Sequence, residues 1–365
     1  MTTSENNRVI IPSELIGSLP RSAELVEAQR THKDGELTTD QLALLQENDL
    51  RNVLFELERT GSIQLTDGEL TKPSFFNYPI YELAQYSFSF DDDHVITITY
   101  SNEHMQRSIP KLIKAPFCYA TFAVDYLKTA QKYTKYPLKQ AVIAPSVLSL
   151  VYTDETIENY SREQFLDDLI NEAEKDVRQC LEAGADKVQL DLFSKINLNK
   201  NLLKQFIEIN NRMLDRFNEN EQKKLGVHVC SDYDEDNKCS SELDYFEILK
   251  DIFQLHLNNF YLQLSSEKDP ERILSLISKL LQPHHRVFIG VINPKNQHVE
   301  TAEEVRDQVL KAAKYIPLEQ LGTTDDCGFS PYNDDESITR EKCYDKIRAR
   351  IQGTKLAEDI LNEIL

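Results

Sequence analysis

The chain has 365 residues, 40% of them hydrophobic, and carries 41 Lys plus Arg against 61 Asp plus Glu, a net charge of −20. A surface this acidic repels phosphate backbones and anionic lipid, so nucleic acid and membranes are excluded as expected partners. No apolar run approaches the roughly 20 residues that span a bilayer. The opening "MTTSENNRVI" lacks a basic stretch followed by an apolar core, so a cytoplasmic protein is expected.

Eight short β-rich runs alternate with helical segments. In chain order they are "ELIGS" (14–18), "SIQLTDGE" (62–69), "QAVIAPS" (140–146), "DKVQLDLF" (186–193), "KLGVHVC" (224–230), "FYLQLS" (260–265), "RVFIGVI" (286–292) and "LGTTDDCG" (321–328). From the fourth onward, successive starts lie 38, 36, 26 and 35 residues apart, room for one strand and one crossover helix. The segment 161–184 has apolar residues at helical spacing and closes on Gly184, a C-cap signal. The segment 301–316 opens on Thr301, an N-cap signal, with acids in its first turn. The last segment, 337–365, predicts an eighth helix that Gly353 interrupts and kinks.

Eight alternating units predict a TIM (β/α)8 barrel, with an open doubly wound sheet as the alternative. No Gly-x-Gly-x-x-Gly follows an early strand and no Gly-x-x-x-x-Gly-Lys occurs, so neither route to nucleotide binding is supported. The long interval 70–140 breaks the rhythm. Its "YSFSFDDDHVITITYS" places two β-rich runs around an acidic turn and predicts a β-hairpin insertion on the barrel rim. The expected organisation is one domain over 1–365, with 70–140 inserted.

Barrel chemistry sits at the C-terminal ends of strands. Those ends supply Gly17 and Ser18, Asp67 to Glu69, Pro145 and Ser146, Gln189 and Asp191, His228 and Cys230, Gln263, Asn293 to Lys295, and Asp326 and Cys327. Residues two apart on a strand share a face, so His228 and Cys230 point to one side. By themselves they suit packing at a strand end as well as metal binding. Cys327, ending another strand, adds a second thiol. One imidazole and two thiolates suit tetrahedral Zn2+, leaving a fourth position for a substrate thiol. The six cysteines form no Cys-x-x-Cys pair and are expected as thiols. Cys180 and Cys343 fall in helices and read as packing. Cys239, His94 and His104 read as loop or hairpin residues, and His284 and His285 as surface residues.

"IGSLPR", "DGE", "HVC" and "DDCGF", in this order, resemble the catalytic barrel of the cobalamin-independent methionine synthase family over roughly 12–355. The resemblance implies methyl transfer to homocysteine on zinc. It implies that His228, Cys230 and Cys327 are zinc ligands. It also implies that Ile16, Gly17 and Ser18 contact the amino-acid substrate and that Glu69 and Asp191 hold its amino group. For Glu69 a solvated turn, and for Asp191 a helix N-cap, stay open as alternatives.

The chain also departs from the family pattern. Gln263 stands where the family has a glutamate ligand, which leaves it a weak neutral oxygen donor. Leu192 and Phe193 replace a Glu-Pro pair. Lys295 replaces a proton-shuttling histidine, with His298 three residues on, and no Trp is present for a folate donor. The reading is a zinc-dependent methyl or alkyl transferase using a homocysteine-like thiol and a methyl donor, with Lys295 and Asp191 in the catalytic set. The alternatives are a zinc-binding barrel without turnover and a thiol transferase acting on another electrophile. The sequence leaves room for a homo-oligomer.

Overall fold

The computed structural model describes residues 8–83, 87–89, 96–99, 106–153, 157–192, 199–230, 244–332 and 337–364. Cys239, His94, His104 and Phe193 lie outside these residues.

Two helices, α1 (Ala23–Lys33) and α2 (Thr39–Arg59), come first. Ser22 and Thr38 cap them, each accepting a first-turn N–H through its hydroxyl. Four short strands follow: β1 (Phe88–Ser89), β2 (Ile96–Thr99), β3 (Gln106–Ile109) and β4 (Lys111–Leu112). After α3 (Ala123–Ala130) the regular repeat begins with β5 (Lys139–Ile143), α4 (Pro145–Leu148) and α5 (Arg162–Glu182). It continues through β6 (Lys187–Leu192), α6 (Lys200–Leu214), α7 (Glu219–Gln222), β7 (Leu225–Val229) and α8 (Tyr245–Ile252). Then come β8 (Asn259–Leu262), α9 (Pro270–Leu280), β9 (Arg286–Ile292), α10 (Ala302–Ala312), β10 (Leu321–Asp325) and α11 (Arg340–Ile364).

Strands β5 to β10 form one parallel sheet in sequential order. The first two expected strands do not join it as ladders. Each contributes a single parallel bridge, Ser13 to Thr323 on one edge and Leu65 to Leu138 on the other. They therefore act as irregular staves that wrap the sheet toward closure. Between these staves the Leu19 N–H donates to the Gly68 carbonyl (2.9 Å) and the Thr66 hydroxyl to the Gly17 carbonyl (2.9 Å). A sheet needs repeated N–H and C=O pairing to register as a strand. Here Gly68 and Glu69 have positive φ (67° and 54°), and Pro12 and Pro20 flank the first stave, so the ladder ends early. The result is an eight-staved (β/α)8 barrel with six regular strands.

The barrel interior is filled by stacking. The Tyr261 and Phe288 rings lie 4.6 Å apart at 16° and pack with Ile16. A side chain at Gly226 would come within 2.7 Å of the Tyr261 ring, and one at Gly322 within 2.4 Å of Phe288. These two glycines make room for the aromatic layer.

The expected hairpin differs in its pairing. Among the described residues β1 pairs with β4 and β2 with β3, all antiparallel. The strand partners came from sequence beyond the acidic turn, where "QRSI" and "KL" are too short and polar to stand out. His285 is buried rather than on the surface, set edge-on against the Phe260 ring. Gly184 (φ 87°) and Thr301 terminate their helices as expected.

Gly353 does not interrupt α11, which is continuous from Arg340 to Ile364. It permits contact instead. A Cβ there would lie 2.5 Å from the Ala302 carbonyl oxygen and 2.5 Å from the Val305 Cβ. Gly to Ala inside a helix ordinarily stabilises by about 1 kcal/mol. At this position the overlap with α10 reverses the sign, and Gly353→Ala is expected to destabilise by about 2 kcal/mol in urea unfolding. A variant as stable as the parent would contradict this packing.

Candidate metal centre

The strand ends meet as the spacing predicts. His228 lies near the end of β7, Cys230 one residue beyond it, and Cys327 two residues beyond β10. Their donor atoms all lie within 4.8 Å of one another. The two sulfurs are 3.4 Å apart, hydrogen-bonded to each other as thiols and not joined in a disulfide.

Cys327 is held in place by its neighbour. The buried Asp326 carboxylate accepts the N–H groups of Leu264, Ser265 and Ser266 at 2.9, 2.8 and 2.7 Å. This ties the loop after β8 to the end of β10. Gly290 on β9 leaves the space, since a Cβ there would fall 1.9 Å from the Asp326 carboxylate. Gly328 likewise lets stave one close in, since its Cβ would lie 2.1 Å from the Ser18 hydroxyl.

The residues present fit a metal ion. His228 is buried, and neither imidazole nitrogen makes a hydrogen bond of good geometry, the Cys327 thiol being the polar group set against it. A buried polar atom left unpaired costs about 1–3 kcal/mol, so a ligand role supplies what the protein does not. Two thiolates on a tetrahedral ion with bonds of about 2.3 Å stand about 3.8 Å apart, close to the spacing of this pair. The bond from Cys327 holds Cys230 below the ordinary thiol range, against burial and with help from the charge of Lys295. The same bond pushes Cys327 well above that range, with burial adding to it.

Asp191 is buried on β6, directly paired with His228 in the β6–β7 register. Burial pushes its carboxyl up, while His228 and the Gln189 amide pull it back. Glu69 is buried at the end of stave two, with one carboxylate oxygen 3.3 Å from the Lys72 ammonium. Neither acid is a solvated turn residue. Lys72 also donates to the Ala141 carbonyl (2.8 Å). Arg21 fixes this turn from behind by donating to the carbonyls of Glu69, Leu70, Lys72 and Tyr332.

The other expected residues are less uniform. Ile16 places its side chain in the aromatic layer and donates its N–H to Asp325 (3.3 Å). The Gly17 carbonyl is taken by Thr66, while the Ser18 hydroxyl is buried with no partner. The Gln263 amide donates to Glu267 (2.8 Å). Lys295 is exposed on the loop after β9, within electrostatic reach of Cys230. His298 is exposed and bonded to Glu304 (3.1 Å), so it does not replace a shuttle at the mouth. Cys180 and Cys343 are buried packing residues.

Lys72, Lys139 and Glu14 are functional neighbours that the sequence pattern does not single out. Lys72 has a signal in retrospect, standing three residues after Glu69. The other two carry none, because a charged residue opening a β-rich run ordinarily faces solvent.

Fold and site together define an α/β-barrel enzyme with a Cys2His cluster at its mouth. The family profile described as "Cobalamin-independent synthase, Catalytic domain" matches residues 11–343. A methionine synthase of Sulfurisphaera tokodaii is 24% identical over 352 residues, spanning 96% of this chain and 94% of the relative. One of Saccharolobus solfataricus is 24% identical over 355 residues, spanning 96% of each. The solved structure of a B12-independent methionine synthase from Shewanella sp. W3-18-1, in complex with selenomethionine, superposes with TM-score 0.73 at 20% identity. That superposition covers 97% of this chain and 99% of that one. The chain belongs to the cobalamin-independent synthase catalytic-domain family. Among the described residues, no helix is long and apolar enough to cross a membrane.

Burial raises the Glu69 carboxyl from 4.5 to about 7, against the pull of Lys72 and with repulsion from Asp191 and Asp67. The folded state thus binds this proton more tightly than the unfolded chain. The stability it contributes is complete below about pH 4.5 and is lost as pH rises through about 7. Between about pH 5 and 8 the parent should lose more stability than Glu69→Gln in urea melts. Equal slopes would contradict this placement of Glu69.

Proposed function

We propose that the chain transfers a methyl group to the thiol of homocysteine, with zinc held by His228, Cys230 and Cys327. The observation that carries this reading is the buried His228 converging with two thiols, beside the two buried acids Glu69 and Asp191. When bound, zinc supplies the Lewis acidity that keeps an incoming thiol ionised at neutral pH.

The chain's own residues do the rest. Glu69 and Asp191 receive the amino group of the acceptor, as paired acids at a buried mouth favour an ammonium. Ile16, Gly17 and Ser18 line the same end of the barrel, and the unpartnered Ser18 hydroxyl is the polar contact they offer. Gln263 borders the cluster as a weak neutral oxygen donor, steadied by Glu267. Lys295, at the rim, steadies negative charge on the sulfur side and serves proton return to the leaving group. The donor is an electrophilic methyl carrier that approaches the cluster from the barrel mouth.

Purified protein handled without chelator should carry about one zinc per chain, and Cys230→Ser or Cys327→Ser less than about a tenth of that. Methyl transfer to homocysteine should fall with the zinc. Parent protein without zinc would contradict the reading, as would serine variants that keep it.

A further inference from the structure

A set of charged groups is buried beneath the candidate site, and the proposed chemistry leaves it unused. Glu14 of stave one accepts from the Tyr261 hydroxyl (2.6 Å) and pairs with Lys187. The oxygen that accepts from Tyr261 also lies 3.8 Å from the Lys139 ammonium, while the other one pairs with Lys187. Lys139 opens β5, is wholly enclosed, and sits 3.8 Å above the Tyr261 ring. Burial pulls it down to about 7, against the attraction of Glu14. Burying a lysine here is costly, so what it donates to matters.

Lys139 donates to the side-chain oxygen of Gln189 at 2.9 Å. Gln189, fully buried on β6, donates its amide nitrogen to one carboxylate oxygen of Asp191 at 2.8 Å. An amide has one accepting end and one donating end. With an ammonium on one side and a carboxylate on the other, only one orientation satisfies both. The chain Lys139, Gln189, Asp191 therefore runs from the barrel interior to the mouth. It fixes the Asp191 side chain beside His228, its partner in register.

We propose that Lys139 and Gln189 are positioning residues for the amino group of the acceptor. They lock Asp191 so that its second oxygen faces the mouth, where it takes the substrate ammonium together with Glu69. Lys72 does the corresponding work for Glu69, through its bonds to that carboxylate and to the Ala141 carbonyl. Each acid of the pair thus has a buried lysine behind it. The inference rests on the acceptor reading given above and adds residues that touch neither metal nor substrate.

The arrangement makes a chemical distinction. A ligand with an α-ammonium depends on the orientation of Asp191, and the same ligand without it does not. Methionine and its desamino analogue 4-methylthiobutanoate form that pair. Calorimetric titration of the zinc-loaded parent, Gln189→Glu and Lys139→Met with both compounds tests the proposal. In Gln189→Glu the new carboxylate keeps Lys139 satisfied but turns an acceptor toward Asp191. In Lys139→Met the amide loses the partner that orients it, while Glu14 keeps Lys187 and Tyr261.

Affinity for methionine should fall about tenfold or more in both variants, the size of one charge-assisted contact. Affinity for 4-methylthiobutanoate should stay within about twofold, and zinc content should be unchanged. In turnover the homocysteine KM should rise with kcat nearly constant. Equal losses for both compounds, or variants that match the parent, would overturn the positioning role while leaving the acceptor assignment intact. A parent that binds neither methionine nor homocysteine would overturn the acceptor assignment and this inference with it.

Discussion

Closure of the barrel across its two irregular staves rests on buried charge rather than on a strand ladder. Asp325, the last residue of β10, pairs with Arg350 from α11 and accepts the Ile16 N–H from stave one. Arg350 also reaches Ser13 (3.1 Å). Glu14, one residue further, draws Lys187, Lys139 and Tyr261 onto stave one from β6, β5 and β8. Removing one partner of such a pair strands a charge in a dry interior, which costs about 3–5 kcal/mol. The two ends of the sheet therefore cannot drift apart without unpairing several groups at once.

The site follows from that closure. Asp326 and Cys327 come directly after Asp325, so the clamp that seals the barrel also sets the second thiol. Asp326 then gathers the three N–H groups after β8, and Cys327 arrives 3.4 Å from Cys230. Residues nearly a hundred positions apart are brought together by neighbours whose own task is structural. The precision of a metal site depends on what stands behind its ligands.

Much of this was legible in the chain. The parallel strands β5 to β10 read as short β-rich runs that end in polar residues and recur at the spacing of a strand plus a crossover helix. The polar residues ending those runs gave His228, Cys230 and Cys327 as one cluster. The first two staves were found as elements but not as irregular ones, because a run such as "ELIGS" looks the same whether it pairs by ladder or by a single bridge. The hairpin insertion is legible as β-rich runs while its exact partners are not, and Gly353 reads as a break, because a pattern of residue types does not show which surface is opposite. Lys139 and Glu14 were invisible for a related reason: their pairing is made across strands far apart in sequence.

On the reading proposed above, the Cys2His cluster holds zinc and leaves one position for a substrate sulfur. X-ray absorption at the zinc edge, with and without homocysteine, tests it most directly. The spectrum should show one nitrogen and two sulfur ligands at rest, with sulfurs at about 2.3 Å, and a third sulfur once homocysteine is added. An unchanged ligand set on adding homocysteine, or zinc bound without sulfur, would contradict it.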